Sequence, residues 1–299
     1  MTSVATLITN PREPAITNAV LSEARRIART EHPARMLHEA VAAEFPFDAG
    51  LEGSASVERE LRSQLAGLPI DIVVQPASHR RKRLFLADMD STMIEQECID
   101  ELADFVGLKA EVAAITERAM RGEIAFEPAL RERVSILKNL PVGVVDEIIA
   151  ERITLTPGGR ALVQTMRAHG AYAGLVSGGF TLFTGPIAEE IGFDEHRANH
   201  LIIENERLAG RVKEPILGRE AKLATLIELR ERLGLIHAET LAVGDGANDL
   251  AMLGEAGLGV AFHAKPAVAA AAHARIDHGN LTALLYIQGY AASEFVGAP

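Results

Sequence analysis

Four short apolar runs most strongly limit what this chain can fold into. They are residues 84–88 (LFLAD), 171–179 (AYAGLVSGG), 239–249 (ETLAVGDGAND) and 257–262 (GLGVAF), and helical patterns such as 157–169 and 219–233 separate them. Buried strands that alternate with helices predict a parallel α/β sheet. Because ligands of such sheets bind beyond the carboxyl ends of the strands, we expect Asp88, Ser177 and Asp245 to meet at one edge.

The stretch between the first two runs carries no strong strand pattern and predicts a helical insert over about 93–153. Its candidate helices are residues 96–106, 109–119, 127–138 and 143–151. An insert directly after the first strand is placed to cover a site at the strand end and to exclude water. Farther along, residues 199–212 predict a hairpin and the alanine-rich residues 267–274 predict a helix.

Residues 1–80 form a separate pattern and predict a small α+β domain, followed by the main domain over 81–299. The pattern consists of strand candidates at 5–9 and 70–76 and helix candidates at 15–30 and 57–67. This N-terminal unit resembles the small (ACT-like) regulatory modules found on enzymes of amino-acid metabolism. The resemblance implies a regulatory role, and feedback by an amino acid is a hypothesis based only on this α+β pattern.

Composition narrows the classes of partner and the compartment. The 299 residues are 48% hydrophobic and carry a net charge of −11, which disfavours a nucleic-acid partner. Cys98 is the one cysteine, so an intramolecular disulfide is excluded and a reducing compartment is favoured. The sequence shows neither a signal peptide nor an apolar stretch of membrane-spanning length. We therefore expect a cytoplasmic protein without a membrane partner.

The first candidate for chemistry is the segment 88–92, DMDST. Two carboxylates two positions apart, just past a strand, can face one pocket. Asp88 can then attack a phosphorus atom, and Asp90 can protonate the leaving oxygen and later accept a proton from water. A solvated turn or a bare cation site explains this short motif equally well when it is taken alone.

The second candidate is the loop 244–249, GDGAND. Asp245 can supply a hard oxygen ligand for Mg²⁺, Asn248 can donate to a phosphate, and Asp249 can hold a metal-bound water or orient Lys222. The alternative is a turn that caps the next helix.

The third candidate is an anion site made by Ser177, Gly178 and Gly179 together with Lys222. A hydroxyl and free backbone N–H groups at a helix start can hold phosphate oxygens, and Lys222 adds a positive charge. A lone lysine on a helix is otherwise a solvated surface residue.

Together, in order and spacing, these motifs over about 82–290 resemble the haloacid dehalogenase superfamily of aspartate-nucleophile phosphatases. The resemblance implies a Rossmann-like parallel-sheet core with a helical cap inserted after the first strand. It also implies Asp88 as nucleophile and Asp90 as acid and base. Mg²⁺ would be held by Asp88, the backbone carbonyl of Asp90 and Asp245, with Asp249 behind them.

Within that superfamily, the insert resembles the phosphoserine phosphatase family through residues 95–100 (EQECID), 120–123 (MRGE) and 126–134 (FEPALRERV). The resemblance implies that Glu97 receives the substrate ammonium, Arg133 its carboxylate, and that Met120 and Phe126 form apolar walls. Ser177, Gly178, Lys222 and Asn248 would hold the phosphate. The implied reaction is hydrolysis of O-phospho-L-serine through an aspartyl phosphate, the last step of L-serine biosynthesis.

Other functions use the same residues. A phosphotransferase would pass the phosphoryl group to a second alcohol instead of water, and a related phosphatase would take another small phosphoester. A regulatory protein that senses an amino acid or phosphate would need no turnover. A homodimer is a hypothesis that no residue of the sequence supports.

Overall fold

The computed structural model of the protein describes residues 2–50, 53–120 and 123–297. Its N-terminal part is a four-stranded antiparallel sheet in the order β2-β3-β1-β4, with two helices on one face. The elements are β1 (Thr2–Ile8), α1 (Asn18–Ile27), β2 (Arg35–His38), β3 (Ala42–Asp48), α2 (Ser54–Gln64) and β4 (Asp71–Pro76). The predicted strands and helices are present, and β2 and β3 are additional. β3 is buried on both faces, so it lacks the alternation that marks a strand in a sequence.

Helix α1 shows how the N-terminal sequence forms this layer. The hydroxyl of Thr17 accepts the N–H of Val20 at 3.3 Å and thereby caps the helix. Leu21, Ala24 and Ile27 recur every three residues and are all buried. They form the apolar stripe that packs on the sheet.

The other face of the N-terminal sheet is bound to the C-terminal part of the chain. Buried Asp71 accepts the backbone N–H groups of Asp277 and Gly279, both at 2.7 Å. Gln75 donates from Nε2 to the Ile287 carbonyl at 2.5 Å. These directional contacts fix the orientation of the N-terminal sheet on the rest of the molecule.

The remaining chain builds a parallel α/β core with a helical cap. The elements in chain order are β5 (Leu84–Ala87), the cap helices α3 (Cys98–Phe105), α4 (Lys109–Met120), α5 (Phe126–Ile136) and α6 (Val144–Glu151), then α7 (Gly159–Ala168), β6 (Tyr172–Phe180), α8 (Thr181–Ile191), β7 (Glu195–Asn199), β8 (Leu201–Glu204), β9 (Arg207–Val212), α9 (Arg219–Arg232), β10 (Thr240–Gly244), α10 (Leu250–Glu255), β11 (Leu258–Phe262), α11 (Pro266–Ala271), β12 (Ala274–Ile276) and α12 (Ala283–Tyr286). The fold is thus the predicted α/β class with an additional N-terminal antiparallel sheet.

The six core strands are all parallel and run in the order β12-β11-β10-β5-β6-β7. Strands β6 and β7 extend the sheet on one side of β5, and strands β10, β11 and β12 extend it on the other side. The carboxyl ends of β5 and β10 therefore lie at the point where the strand order reverses, which is where ligands of open α/β sheets bind. The predicted helix over 267–274 is wrong at its end, because α11 stops at Ala271 and Ala274 begins the edge strand β12.

The cap is joined to the core by two adjacent segments. Ile94 and Leu155 form an antiparallel bridge, and the Thr156 N–H donates to the Met93 carbonyl at 3.0 Å. The hairpin β8–β9 then packs on the cap, because the Asn139 N–H donates to the Leu208 carbonyl at 2.9 Å. The part of the chain that the structure describes contains no helix long and apolar enough to cross a membrane.

Lys82, just before β5, gives a prediction for stability. Its side chain is 7% exposed and donates to the Ala238 carbonyl at 2.8 Å, and burial lowers its pKa from 10.5 to about 8. Between these two values the unfolded chain binds more protons, so this group makes stability rise with pH. We expect Lys82→Met to stabilise the protein by about 1 kcal/mol or more at pH 7. Urea unfolding should show that this advantage shrinks between pH 8 and pH 10.5; an advantage that grows with pH contradicts the assignment.

Candidate active site

A buried lysine between two aspartates forms the centre of the site. Asp88 directly follows β5, and its N–H continues the sheet by donating to the Val243 carbonyl at 3.0 Å. Lys222, in the first turns of α9, places its Nζ 2.7 Å from Asp88 Oδ2 and 2.7 Å from Asp249 Oδ1. The lysine is 0% exposed. Since an unpaired buried ammonium is costly, these carboxylates hold Lys222 in its charged form.

The charges in this cluster shift one another's protonation. Burial raises the pKa of Asp88, Asp249 raises it further, and Lys222 partly offsets both effects. Burial alone would lower the pKa of Lys222, but Asp88 and Asp249 outweigh burial and the net pKa is raised. Burial also raises the pKa of Asp245, with Asp249 adding to the effect. The site therefore has an excess of negative charge that favours a bound cation.

Asp88, Asp245 and Asp249 provide oxygen atoms that all lie within 4.8 Å of one another. Carboxylate oxygens are hard ligands of the kind that Mg²⁺ and other divalent cations prefer, so this donor set fits such an ion. Thr92 donates weakly to Asp245 at 3.4 Å. Asp249 is already engaged, because its Oδ1 binds Lys222 and its Oδ2 accepts the Gly246 N–H at 3.0 Å. Asp88 is engaged to the same degree, because its Oδ2 pairs with Lys222 and its Oδ1 accepts the Met89 N–H at 2.8 Å. Asp245 is therefore the carboxylate with the most remaining capacity for a cation.

Asp90 lies beside this cluster with its carboxylate fixed at both oxygens. Oδ1 accepts the Cys98 N–H at 2.8 Å, and Oδ2 accepts the Ser177 hydroxyl at 3.0 Å. Ser177 Oγ in turn accepts the Gly179 N–H at 2.8 Å. The next residue, Ser91, has a φ of 54°, a left-handed backbone conformation that is unfavourable outside glycine and often occurs at functional sites. This tight turn places Asp90 close enough to Asp88 for the two carboxylates to interact electrostatically.

Gly179 leaves the space that Asp90 occupies, and its replacement gives a prediction. A Cβ at this position would lie 2.9 Å from Asp90 Oδ2 and 3.0 Å from Ser177 Oγ. We expect Gly179→Ala to displace the Asp90 carboxylate and lower kcat on a phosphomonoester about 100-fold. Gly254→Ala, in helix α10 with open space around its Cβ, is the matched control and should leave kcat unchanged. Equal kcat values for the two variants would refute this role.

The predicted substrate residues line the cap side of the same region. Ser91 donates its hydroxyl to Glu97 Oε1 at 2.8 Å. Glu97 is exposed as a whole residue, but desolvation of its carboxylate and the nearby charge of Asp90 raise its pKa to about 7. Burial lowers the pKa of Arg133, and the nearby carboxylates of Asp100 and Glu97 partly offset this by favouring the charged guanidinium. This cap arginine therefore lies near acidic groups. Glu97 and Arg133 are thus close enough to interact electrostatically.

Phe126 begins cap helix α5, and its ring lies over Gly178 and Gly218. Its ring lies 3.5 Å from the position of a Cβ on Gly178 and 3.3 Å from that of a Cβ on Gly218. Met120 ends α4, but its side chain is outside the described residues. Asn248 is half-buried in the loop after β10, and its Oδ1 lies against Gly246.

The sequence assigned no role to Thr92 or to the backbone N–H of Cys98, and for Gly179 it predicted only a contact with an anion. Thr92 and Gly179 belong to the motifs DMDST and SGG, so their place in the motif was the available signal. The Cys98 N–H binds Asp90 only because helix α3 begins there, which depends on cap geometry.

The fold and this cluster define a class of hydrolase. The family model of haloacid dehalogenase-like hydrolases matches residues 85–254. The chain is also similar to the crystal structure of a HAD family hydrolase from Salmonella enterica serovar Typhi, with a TM-score of 0.86, 28% identity and 96% and 98% of the two chains covered. The chain therefore belongs to the haloacid dehalogenase-like hydrolases.

Relatives within this family carry a more specific name. The chain is 45% identical over 248 residues to a phosphoserine phosphatase of Archaeoglobus fulgidus, covering 82% of this chain and 72% of the relative. The crystal structure of a probable phosphoserine phosphatase from Vibrio cholerae has a TM-score of 0.78 and 32% identity, with 98% of this chain and 88% of that chain covered. These similarities extend through the N-terminal sheet as well as the hydrolase core.

Proposed function

We propose that the protein hydrolyses O-phospho-L-serine to L-serine and inorganic phosphate. The observation that carries the proposal is the convergence of Asp88, Asp90 and Lys222 at the strand-order reversal of the sheet. There a carboxylate, a second carboxylate bound to Ser177, and a buried ammonium lie close together. The phosphoserine phosphatases among its relatives support the choice of substrate.

In the proposed mechanism, Asp88 attacks phosphorus and the bond between phosphorus and the serine oxygen breaks. Asp90 gives its proton to that oxygen. Water then attacks the phosphorus of the aspartyl phosphate and gives a proton to Asp90, and the bond between Asp88 and phosphorus breaks. Because the carboxylate of Asp90 is held by Ser177 and Cys98, it is positioned for both transfers.

The phosphate is held in this proposal by Ser177, Gly178, Asn248 and Lys222, so that alignment and charge stabilisation provide most of the rate. Mg²⁺ held by Asp88, Asp245 and the backbone carbonyl of Asp90 would offset repulsion between the nucleophile and the phosphate. Asp249 positions Lys222, since the two side chains are 2.7 Å apart.

Selectivity for serine rests on the cap. Glu97 would receive the ammonium and Arg133 the carboxylate, and Met120 and Phe126 would line the wall. A guanidinium binds a carboxylate with two parallel hydrogen bonds, and an analogue that lacks either charge leaves a buried group unpaired.

Arg133 provides the test of selectivity. We expect Arg133→Ala to lower kcat/KM for L-phosphoserine about 100-fold, because the substrate carboxylate loses its partner in a closed site. Phosphoethanolamine lacks that carboxylate, so its kcat/KM should change far less. Arg118→Ala is the control, since Arg118 is 43% exposed and pairs with Glu132 on the cap surface. Equal losses on both substrates would contradict the role of Arg133.

The proposed reaction is tested by phosphate release from L-phosphoserine with Mg²⁺ and with a chelator. Activity should require the cation, and phosphoserine should be preferred over phosphoethanolamine and phosphoglycerate. Adding homoserine distinguishes hydrolysis from transfer, because a phosphotransferase would form phosphohomoserine with little free phosphate. A preference for another phosphoester, or transfer instead of hydrolysis, would replace the proposal.

The wider context belongs to the same proposal. We propose a cytoplasmic enzyme of L-serine formation with a domain boundary near residue 80, a main domain over 81–299 and a cap over about 93–153. A homodimer stays a hypothesis, for which the oligomeric mass in solution is the test.

A further inference from the structure

Asn199, the last residue of β7, is a buried carboxamide outside every motif of the sequence. It is 2% exposed, and its carboxamide makes three hydrogen bonds. Nδ2 donates to the Gly178 carbonyl at 2.9 Å and to the Leu217 carbonyl at 3.0 Å, and Oδ1 accepts the Leu217 N–H at 2.7 Å. Asn199 therefore connects the proposed phosphate loop, residues 177–179 at the end of β6, with the segment that precedes α9.

The first of these connections leads to Asp90. The Gly178 carbonyl and the Gly179 N–H belong to one planar peptide group, so Asn199 holds one side of that plane. On the other side the Gly179 N–H donates to Ser177 Oγ at 2.8 Å, and the Ser177 hydroxyl donates to Asp90 Oδ2 at 3.0 Å. A continuous chain of hydrogen bonds thus runs from Asn199 to the proposed proton donor.

The second connection leads to Lys222. Leu217, held by both ends of the Asn199 carboxamide, is followed by Gly218, the N-cap of α9. The Lys222 N–H donates to the Gly218 carbonyl at 3.3 Å, so Lys222 lies in the turn that Leu217 leads into. The hairpin β8–β9 lies between Asn199 and Leu217 in the chain and packs on the cap. Asn199 closes the base of that hairpin.

We propose that Asn199 is a positioning residue that sets Asp90 and Lys222 relative to the phosphate loop. It contacts neither substrate nor metal ligands, and it acts through the Gly178–Gly179 peptide and through Leu217. The inference rests on the proposed function for its proton donor. Losing the carboxamide frees the peptide plane that orients Ser177, and Asp90 is then misplaced for protonating a leaving alkoxide.

The test compares two leaving groups in Asn199→Ala. The serine oxygen needs a proton to leave, whereas p-nitrophenolate leaves without one. We expect kcat for L-phosphoserine to fall about 100-fold and kcat for p-nitrophenyl phosphate about 10-fold or less, since the latter loses only alignment of the phosphate. Asn199→Asp keeps the size and the accepted bond from Leu217 but loses both donors. It should show the same pattern, and it serves if the alanine variant does not fold.

Gln288→Ala is the matched control. Gln288 is also 2% exposed, donates to the Leu284 carbonyl at 2.7 Å and accepts the Lys82 N–H at 2.9 Å. It therefore lies near the amino-terminal end of β5, away from Asp88 at the carboxyl end. It should lower thermal stability as much as Asn199→Ala does and leave both kcat values unchanged. Equal losses on the two substrates in the Asn199 variants, or unchanged kcat, would overturn the inference. A wild-type protein that hydrolyses alkyl and aryl phosphates but not phosphoserine would instead refute the proposed substrate, and the same ratio would still test Asn199.

Discussion

Replacing Asp88 with asparagine should abolish turnover while leaving the protein folded. The amide has the size of the carboxylate, and Lys222 keeps Asp249 as a counter-ion, so we expect the free energy of unfolding to change by no more than about 1 kcal/mol. The amide cannot attack phosphorus, and kcat on L-phosphoserine should fall about 10,000-fold or more. Phosphate release and urea unfolding measure the two effects separately.

Asp146→Asn is the control for the nucleophile variant. Asp146 is exposed in cap helix α6, so the same chemical change there should leave kcat within about twofold of wild type. An Asp88→Asn protein that turned over at the wild-type rate would rule out Asp88 as the nucleophile and with it the covalent mechanism.

The second large effect is expected at Lys222, where a charge supports both the fold and the reaction. Lys222→Met leaves the buried side chains of Asp88 and Asp249 without their shared counter-ion. We expect it to cost about 3–5 kcal/mol of stability in metal-free buffer. The activity should fall about 1,000-fold, because a positive charge aimed at the phosphate is lost.

Lys82→Met is the control for Lys222→Met, because it removes a buried lysine without breaking an ion pair with a carboxylate. Lys82 is also buried, but its Nζ donates to a carbonyl oxygen and not to a carboxylate. The same substitution should therefore stabilise the protein at pH 7, as predicted above, and leave kcat unchanged. If both methionine variants unfold at the same urea concentration, the aspartate–lysine cluster is not the structural centre of the site.

The central strands could be predicted from the sequence because burial on both faces makes them apolar throughout. β5, β10 and β11 are buried along their length and coincide with the predicted runs. The edge strands β7 (EHRAN) and β12 (ARI) have one neighbour each and keep polar residues, so no run marks them. Helix α8 was also missed, since it contains Gly185 and Pro186, residues that usually end a helix.

The site residues could be placed together because strand ends of a parallel sheet share one edge. Asp88 and Asp245 follow β5 and β10, and because these strands are adjacent in the sheet, the two carboxylates lie in one cluster. Asn199 could not be found this way. Its role depends on where a loop carbonyl of Gly178 points, and no residue pattern encodes that direction.

The central claim is that Asp88 carries the phosphoryl group during turnover. The most direct measurement is rapid acid quench of the enzyme with Mg²⁺ and ³²P-labelled L-phosphoserine, followed by mapping of the labelled peptide. We predict label on Asp88, absent in Asp88→Asn and released by water at the rate of turnover. Steady hydrolysis without protein-bound phosphate, or with label on another residue, would contradict the account.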